Sequence, residues 1–464
     1  MSAIVMPILV ILVVILIFNV IIFVHELGHF LAARWRGLEV ERFQIWFGKP
    51  IWKKTHNGVQ YGLGWIPFGG FVALPQMATM EAIEGENEGK VLPPAKPIDK
   101  IIVAFAGPLF SFLLAFATAF AVWGVGKPDT RINTTTIGYV KKDSPAMKAG
   151  LLAGDTILTI NGNTVDSFRG NMDTGVIENI ITSEGEEISF VIKRPGIEKP
   201  LTIHSKFDIP KTAWFERSGM RQVGIGYRER VTIGSVVENG PAAEAGIVED
   251  DVILTVDGKP ATSMMLLFEA AKSAQPTTLT LQRGDEEITV TLTARPPLPP
   301  RDDHAAFGMG FKFDESVLSH EMIHPGPWQQ IKDSAAVMKK TISLVASKFS
   351  SIGVDQLAGP VGIGKGYYQM LTSSADGWKL ALGFTVLFNI NLAILNMLPF
   401  PVLDGGHITL SIMEIIARRP VKARILEFVQ TGFVLLIFGL FLYITSKDIG
   451  SFFGGGKAKQ EMKF

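Results

Sequence analysis

The chain has 464 residues, enough for two or three domains, and its 44 basic and 44 acidic side chains cancel. Balanced charge excludes a global field that would gather nucleic acid or acidic substrates. There is no cysteine, which excludes disulfides and thiolate metal sites, so any metal falls to His, Asp or Glu.

Hydrophobic residues make up 47% of the chain and the mean hydropathy is +0.28, values that fit membrane spans mixed with soluble modules. Residues 4–24 form a nearly unbroken apolar run, interrupted by Pro7 and Asn19, as long as a helix that crosses about 30 Å of hydrocarbon. A signal peptide would carry a basic residue ahead of a shorter apolar core and small residues at its end. Here no basic residue precedes Arg34, and the run continues into His25-Glu26-Leu27-Gly28-His29. We read a first transmembrane helix over about 4–27. Positions i and i+4 of a helix share a face, so His25 and His29 can point at one zinc ion. Glu26, beside the first of them, is placed to take a proton from water that a metal acidifies. Two histidines and a carboxylate are too costly in an apolar helix to be idle. A second apolar run, 101–123, predicts a second span.

Residues 128–312 are polar, strand-like and internally repeated. Ser144-Pro-Ala-Met-Lys-Ala-Gly150 recurs as Gly240-Pro-Ala-Ala-Glu-Ala-Gly246, and Asp155-Thr-Ile-Leu-Thr-Ile-Asn-Gly162 as Asp251-Val-Ile-Leu-Thr-Val-Asp-Gly258, at an offset of 96 residues. Each copy reads as a short helix, an alternating strand and a tight turn. The pair resembles PDZ domains of bacterial envelope proteases. That resemblance implies grooves that take peptide C-termini or extended peptides by strand addition, with Val223-Gly-Ile-Gly-Tyr227 as a carboxylate-binding loop of the second copy. A bulky spacer without a ligand is the alternative. Pro296-Pro-Leu-Pro-Pro300 reads as a stiff linker.

His320-Glu-Met-Ile-His324 repeats the histidine pattern, but Pro325 and Pro327 follow it. The residue before a proline is biased away from helix, so this copy reads as a surface coincidence. From Trp328 to Ile352, Ile331, Ala335, Met338, Ile342 and Val345 recur at helical spacing. Such a helix suits the outer membrane surface or packing against the PDZ pair. Runs at 378–399 and 426–445 predict two more spans, the former interrupted by Asn389, Asn391 and Asn396. A catalytic zinc needs a third protein ligand and an open position. Asp404, in Asn396-Met-Leu-Pro-Phe-Pro-Val-Leu-Asp404-Gly-Gly-His407, is the first candidate and His407 the second. Alone, Asp404 would read as a turn or cap residue before Gly405. Basic residues between the first two spans (Arg34 to Lys54) and between the last two (Arg418 to Arg424) place both links in the cytoplasm, with the middle segment outside.

Together these motifs, with Leu357-Ala-Gly-Pro-Val361, resemble the site-2 protease family of intramembrane zinc metalloproteases, in the RseP subgroup with two PDZ domains, over essentially the whole chain. The resemblance implies a polytopic α-helical membrane protein of four transmembrane helices, with two inserted PDZ domains (α+β, partly open β-barrels) and a membrane re-entrant β-loop at about 58–75, within which Gly62 to Phe71 alternates apolar residues with glycine. The expected division is a protease core at 1–126 and 375–450, PDZ domains at 127–210 and 211–300, a linker and amphipathic segment at 301–374, and a tail at 451–464. By resemblance His25, His29 and Asp404 hold Zn2+, Glu26 is the catalytic base, and Asn396 holds substrate or stabilises the oxyanion. Expected substrates are single-pass transmembrane proteins of the anti-sigma factor class, cut after a first-site cleavage, and remnant signal peptides. The setting implied is the inner (cytoplasmic) membrane with the PDZ pair in the periplasm. No nucleic-acid partner is expected. After Gly107-Pro108 the family usually has Asn where this chain has Ser111, which leaves the packing of the second span open, and the acidic stretch from Gln76 to Glu88 has no assigned role. The rivals are a non-enzymatic membrane scaffold that presents PDZ domains, and a soluble zinc protease released after signal cleavage.

Overall fold

Long apolar runs became helices and alternating runs became strands, in the order that periodicity predicts. The structure is a computed structural model and describes residues 5–77, 93, 95–297, 305–419 and 423–454. The acidic segment beyond Met77, most of the proline run at 296–300 and the tail past Gly454 lie outside those residues.

Helix α1 (Val5–Trp35) leads into a hairpin of β1 (Arg42–His56) and β2 (Val59–Ala73), and α2 (Pro97–Val125) follows. A β-rich region comes next. It runs through β3 (Lys127–Ile132), β4 (Ile137–Val140), α3 (Pro145–Ala149), β5 (Thr156–Ile160), β6 (Asn163–Thr164), α4 (Val176–Thr182), β7 (Glu187–Lys193), β8 (Leu201–Lys206) and β9 (Ile225–Tyr227). The series recurs as β10 (Thr232–Val236), α5 (Pro241–Glu244), β11 (Val252–Val256), β12 (Lys259–Pro260), α6 (Met265–Ser273), β13 (Pro276–Arg283), β14 (Glu286–Thr293) and β15 (Met309–Lys312). After β16 (Leu318–Ile323) come α7 (Pro327–Ala346), α8 (Pro360–Ser373), α9 (Gly377–Asn396), α10 (Asp404–Ala417) and α11 (Ala423–Gly454). The chain divides into two compact units, one of residues 1–128, 322–342 and 357–449, the other of 129–321, 343–356 and 450–464.

In the first unit, α1, α2, α9 and residues 428–450 of α11 are long and apolar enough to cross a bilayer. Their outward faces are apolar: Leu12 and Leu16 on α1 and Leu435 and Phe438 on α11 are more than half exposed, as lipid-facing side chains are. Helices α1 and α2 cross closely at Gly28, where an added Cβ would overlap the Ala106 carbonyl. Ala115, Ala119 and Val122 of α2 pack with Val386 and Ile390 of α9 and with Ile331 of α7. The apolar stripe predicted on α7 is present, and Ile331 and Ala335 turn it toward α2 and α9, where the sequence reading offered the membrane surface or the PDZ pair. The Leu357–Val361 motif opens α8, whose Gly362 N–H donates to the buried Asp448 side chain, an acceptor at a helix N-terminus.

In the second unit, both copies have the same plan. Asn161-Gly162 and Asp257-Gly258 all take positive φ, as a two-residue hairpin turn requires. Asp155 accepts from Leu152 N–H and from Arg194, and Asp251 from Val248 N–H and Arg283, so one buried carboxylate fixes the same corner twice. Each copy has its own core, around Ile157, Ile188 and Phe190 in one and Ile233, Leu279 and Leu281 in the other. Val223–Tyr227 corrects the sequence reading. Its strand pairs with β4 and Val223 lies in the first core, so the loop belongs to the first copy. The matching segment of the second copy is Phe307–Phe311, beyond residue 300, where β15 pairs with β10. In both copies the last strand returns to the first, which a repeat search over the helix-and-turn motif does not see.

Candidate metal centre

His25 and His29 sit one turn apart on α1 with rings at 80° and centroids 4.9 Å apart. Asp404, the first residue of α10, meets both: His25 Nε2 lies 3.3 Å from Asp404 Oδ2, and His29 Nε2 lies 3.3 Å from Oδ1. The two Nε2 atoms are also 3.3 Å apart. A tetrahedral ion with bonds of about 2.0–2.1 Å has ligand–ligand edges of about 3.3–3.4 Å. Each separation therefore matches an edge of a zinc tetrahedron, with Asp404 meeting the two imidazoles through its two different oxygens. The donor set, two imidazoles and a carboxylate, suits zinc too. Among the described residues this is the group of His, Asp and Glu side chains placed to hold a metal.

The histidines are oriented from α2. His29 Nδ1 is 2.8 Å from the Val103 carbonyl oxygen, and His25 Nδ1 is 2.9 Å from Ser111 Oγ. A carbonyl only accepts, so His29 Nδ1 carries the proton and its Nε2 presents a lone pair to the centre. Between these contacts Gly107 faces the histidines: a Cβ there would overlap His29 Nε2 and lie 2.9 Å from His25 Nε2. Burial alone would raise the Asp404 carboxyl. The two neighbouring imidazoles, His29 foremost, outweigh it and hold the group below the usual carboxylate range. Burial pushes His407 down, toward the neutral imidazole.

These groups line a cavity of about 420 Å³. Glu26, Asn396 and His407 share it, as do Gly69 to Val72 of β2 and Leu392 of α9. Asn396 Nδ2 is 3.4 Å from His25 Nε2, at the edge of hydrogen-bond reach. Gly70 packs on Glu26, since a Cβ there would stand 3.0 Å from Glu26 Cγ. All five sequence-predicted residues therefore meet at one place. The second histidine pattern forms no such site. His320 lies in strand β16, where positions four apart do not share a helical face, and its Nδ1 is 3.1 Å from Thr130 Oγ1. His324 Nδ1 contacts the Trp123 carbonyl oxygen at 2.8 Å. Val103, Gly107 and Ser111 were missed as site residues. Their spacing of four on one apolar helix was the available signal.

Comparison with known proteins bears on what this centre does. The chain matches Peptidase family M50 over residues 13–440. It is 27% identical over 423 residues to a putative zinc metalloprotease of Vibrio cholerae, covering 88% of this chain and 91% of the relative. It is 27% identical over 435 residues to the regulator of sigma-E protease RseP of Escherichia coli, covering 90% and 94%. A solved PDZ domain of an SdrC-like protein from Listeria monocytogenes is 18% identical and covers 19% of this chain and 93% of its own, at a TM-score of 0.16, which carries no argument about the fold. The sequence match and the apolar helices lead to one conclusion: the chain belongs to peptidase family M50 and is a membrane-embedded zinc metalloprotease.

Proposed function

We propose that His25, His29 and Asp404 hold the zinc ion, that Glu26 is the general base, and that the substrate is a transmembrane helix of a single-pass protein. The observation that carries this reading is the convergence of His25, His29 and Asp404 at contacts of 3.3 Å with Glu26 and Asn396 in the same cavity, inside a bundle whose outer faces are apolar. When bound, zinc supplies a Lewis acid that polarises the scissile carbonyl and acidifies water. Glu26 takes the proton of the attacking water and delivers it to the leaving amine. The Asn396 amide donates to the oxygen on which negative charge develops.

A transmembrane helix hides its peptide bonds in its own hydrogen bonds and must unwind to be cut. Strand β2 suits the unwound segment. It lines the cavity from Gly69 to Val72 and pairs with β1 alone among the described strands. We read the hairpin as re-entrant in the membrane, with its free edge pairing to substrate. The paired copies of the second unit read as PDZ domains. In each, a helix lies beside an edge strand: Val176 and Ile180 of α4 by Ile225 of β9, and Phe268 of α6 against Phe311 of β15. On the basis of the basic links, the cavity opens toward the cytoplasm of an inner membrane and the PDZ pair lies in the periplasm. There the pair would exclude substrates that still carry a bulky outer domain. The E. coli relative's name, a regulator of sigma-E, supports anti-sigma factors as substrates.

The test is cleavage of a model transmembrane peptide by the detergent-solubilised full chain. Glu26→Gln should lower the rate by about 10²–10⁴-fold with the bound zinc unchanged. A mutant that cuts at the parental rate removes Glu26 from this role.

A further inference from the structure

We propose that Ser111 is a positioning residue for the metal centre: its hydroxyl accepts the His25 Nδ1 proton and so fixes the tautomer and ring angle of that ligand. The inference rests on the reading of His25 and His29 as zinc ligands.

Ser111 Oγ lies 2.9 Å from His25 Nδ1, and the serine is fully buried. A hydroxyl can donate or accept, so the contact alone leaves the tautomer open. The other ring nitrogen decides it. His25 Nε2 faces Asp404 Oδ2 and His29 Nε2, both at 3.3 Å. A nitrogen turned to a metal must present its lone pair, which puts the proton on Nδ1 and makes Ser111 the acceptor. Val103, one face of α2 away, does the same for His29 with a backbone carbonyl. Residues 103, 107 and 111 are spaced four apart and form one stripe: acceptor, gap, acceptor. The gap is Gly107, which lacks the Cβ that would intrude on both Nε2 atoms. The second span thus acts as the template against which the ligands of the first are set.

The two acceptors differ in one respect. The Val103 carbonyl cannot be removed by a side-chain change, whereas the Ser111 hydroxyl can. Ser111→Ala deletes one oxygen from a packed site and leaves a buried N–H without a partner. Outer acceptors of this kind change metal affinity by about 10–100-fold.

The experiment is zinc affinity of the full-length protein in detergent, by competition with a chromophoric chelator, for the parent, Ser111→Ala, Ser111→Thr and His25→Ala. Cobalt-substituted samples give the visible absorption of the site, and thermal unfolding shows that each variant is folded. Ser111→Ala should weaken zinc by about 10–100-fold and shift the cobalt band, while Ser111→Thr, which keeps the hydroxyl, should stay nearer the parent. If His25→Ala loses zinc and folded Ser111→Ala binds it within about twofold of the parent, the positioning role is wrong although the ligand assignment survives. If His25→Ala retains parental affinity, the ligand assignment itself falls, and the inference with it.

Discussion

Asp404 takes its meaning from its neighbours. On the chain it is an Asp before two glycines at a helix start, and in the fold it meets two imidazoles, one with each oxygen. Asp404→Ala should therefore lose the zinc that the parent retains through gel filtration, measured by metal analysis. A buried carboxylate in the second unit has a different task. Asp251 is held below the usual carboxylate range, first by its hydrogen bond from Arg283 and further by the Val248 N–H, against burial. A depressed folded pKa gives stability that is present above the unfolded value of about 3.9 and lost as pH falls through the folded one. At pH 7 Asp251→Asn should thus speed hydrogen exchange in β11. Below about pH 4 the gap between mutant and parent should narrow as the parent carboxylate takes a proton. His25, Glu26 and His29 were legible because one helix turn joins them. Ser111 and the Val103 carbonyl were not, because they reach the histidines across 86 and 74 residues of chain.

At the scale of elements, apolar length located the spanning helices, and the two-copy motif located both β-rich domains. What escaped was closure. The motif search reads each copy from its short helix onward, but β9 and β15 return from far downstream to complete β4 and β10. The edge of β15 beside α6 gives a direct test of the proposed peptide groove. Phe268→Asp places a charge where Phe268 and Phe311 rings meet at 5.9 Å. It should weaken a peptide that binds the second copy by about tenfold or more, read by fluorescence anisotropy. On the membrane side, Gly28→Val would push α1 off the Ala106 carbonyl. The expected cost is about 1–3 kcal/mol, seen as a lower unfolding temperature in detergent, together with loss of zinc as the histidines shift from α2.

For the whole molecule, the membrane-protein class was legible from composition and run length, whereas the partner of α7 was not, because one apolar stripe fits several neighbours. The filter reading makes a prediction at this scale. Deleting residues 129–321 should let the remaining protease cut a substrate that still carries its outer domain, assayed by the appearance of the shortened membrane fragment. A deletion form that still demands prior trimming removes the filter. The join between the two copies says how such a filter would measure. Strand β9 passes into β10 through Arg228 to Val231, and the buried Glu229 accepts from Ser263 Oγ and Met264 N–H of the second copy. Thr262 Oγ1 donates to the Gly138 carbonyl of the first copy, and Arg228 N–H donates to Thr136. These bonds resist rotation at the junction, because turning one copy would strip a buried carboxylate of its donors. If the filter holds, the tandem would work as a caliper with its jaws locked, gauging the width of what approaches instead of wrapping around it.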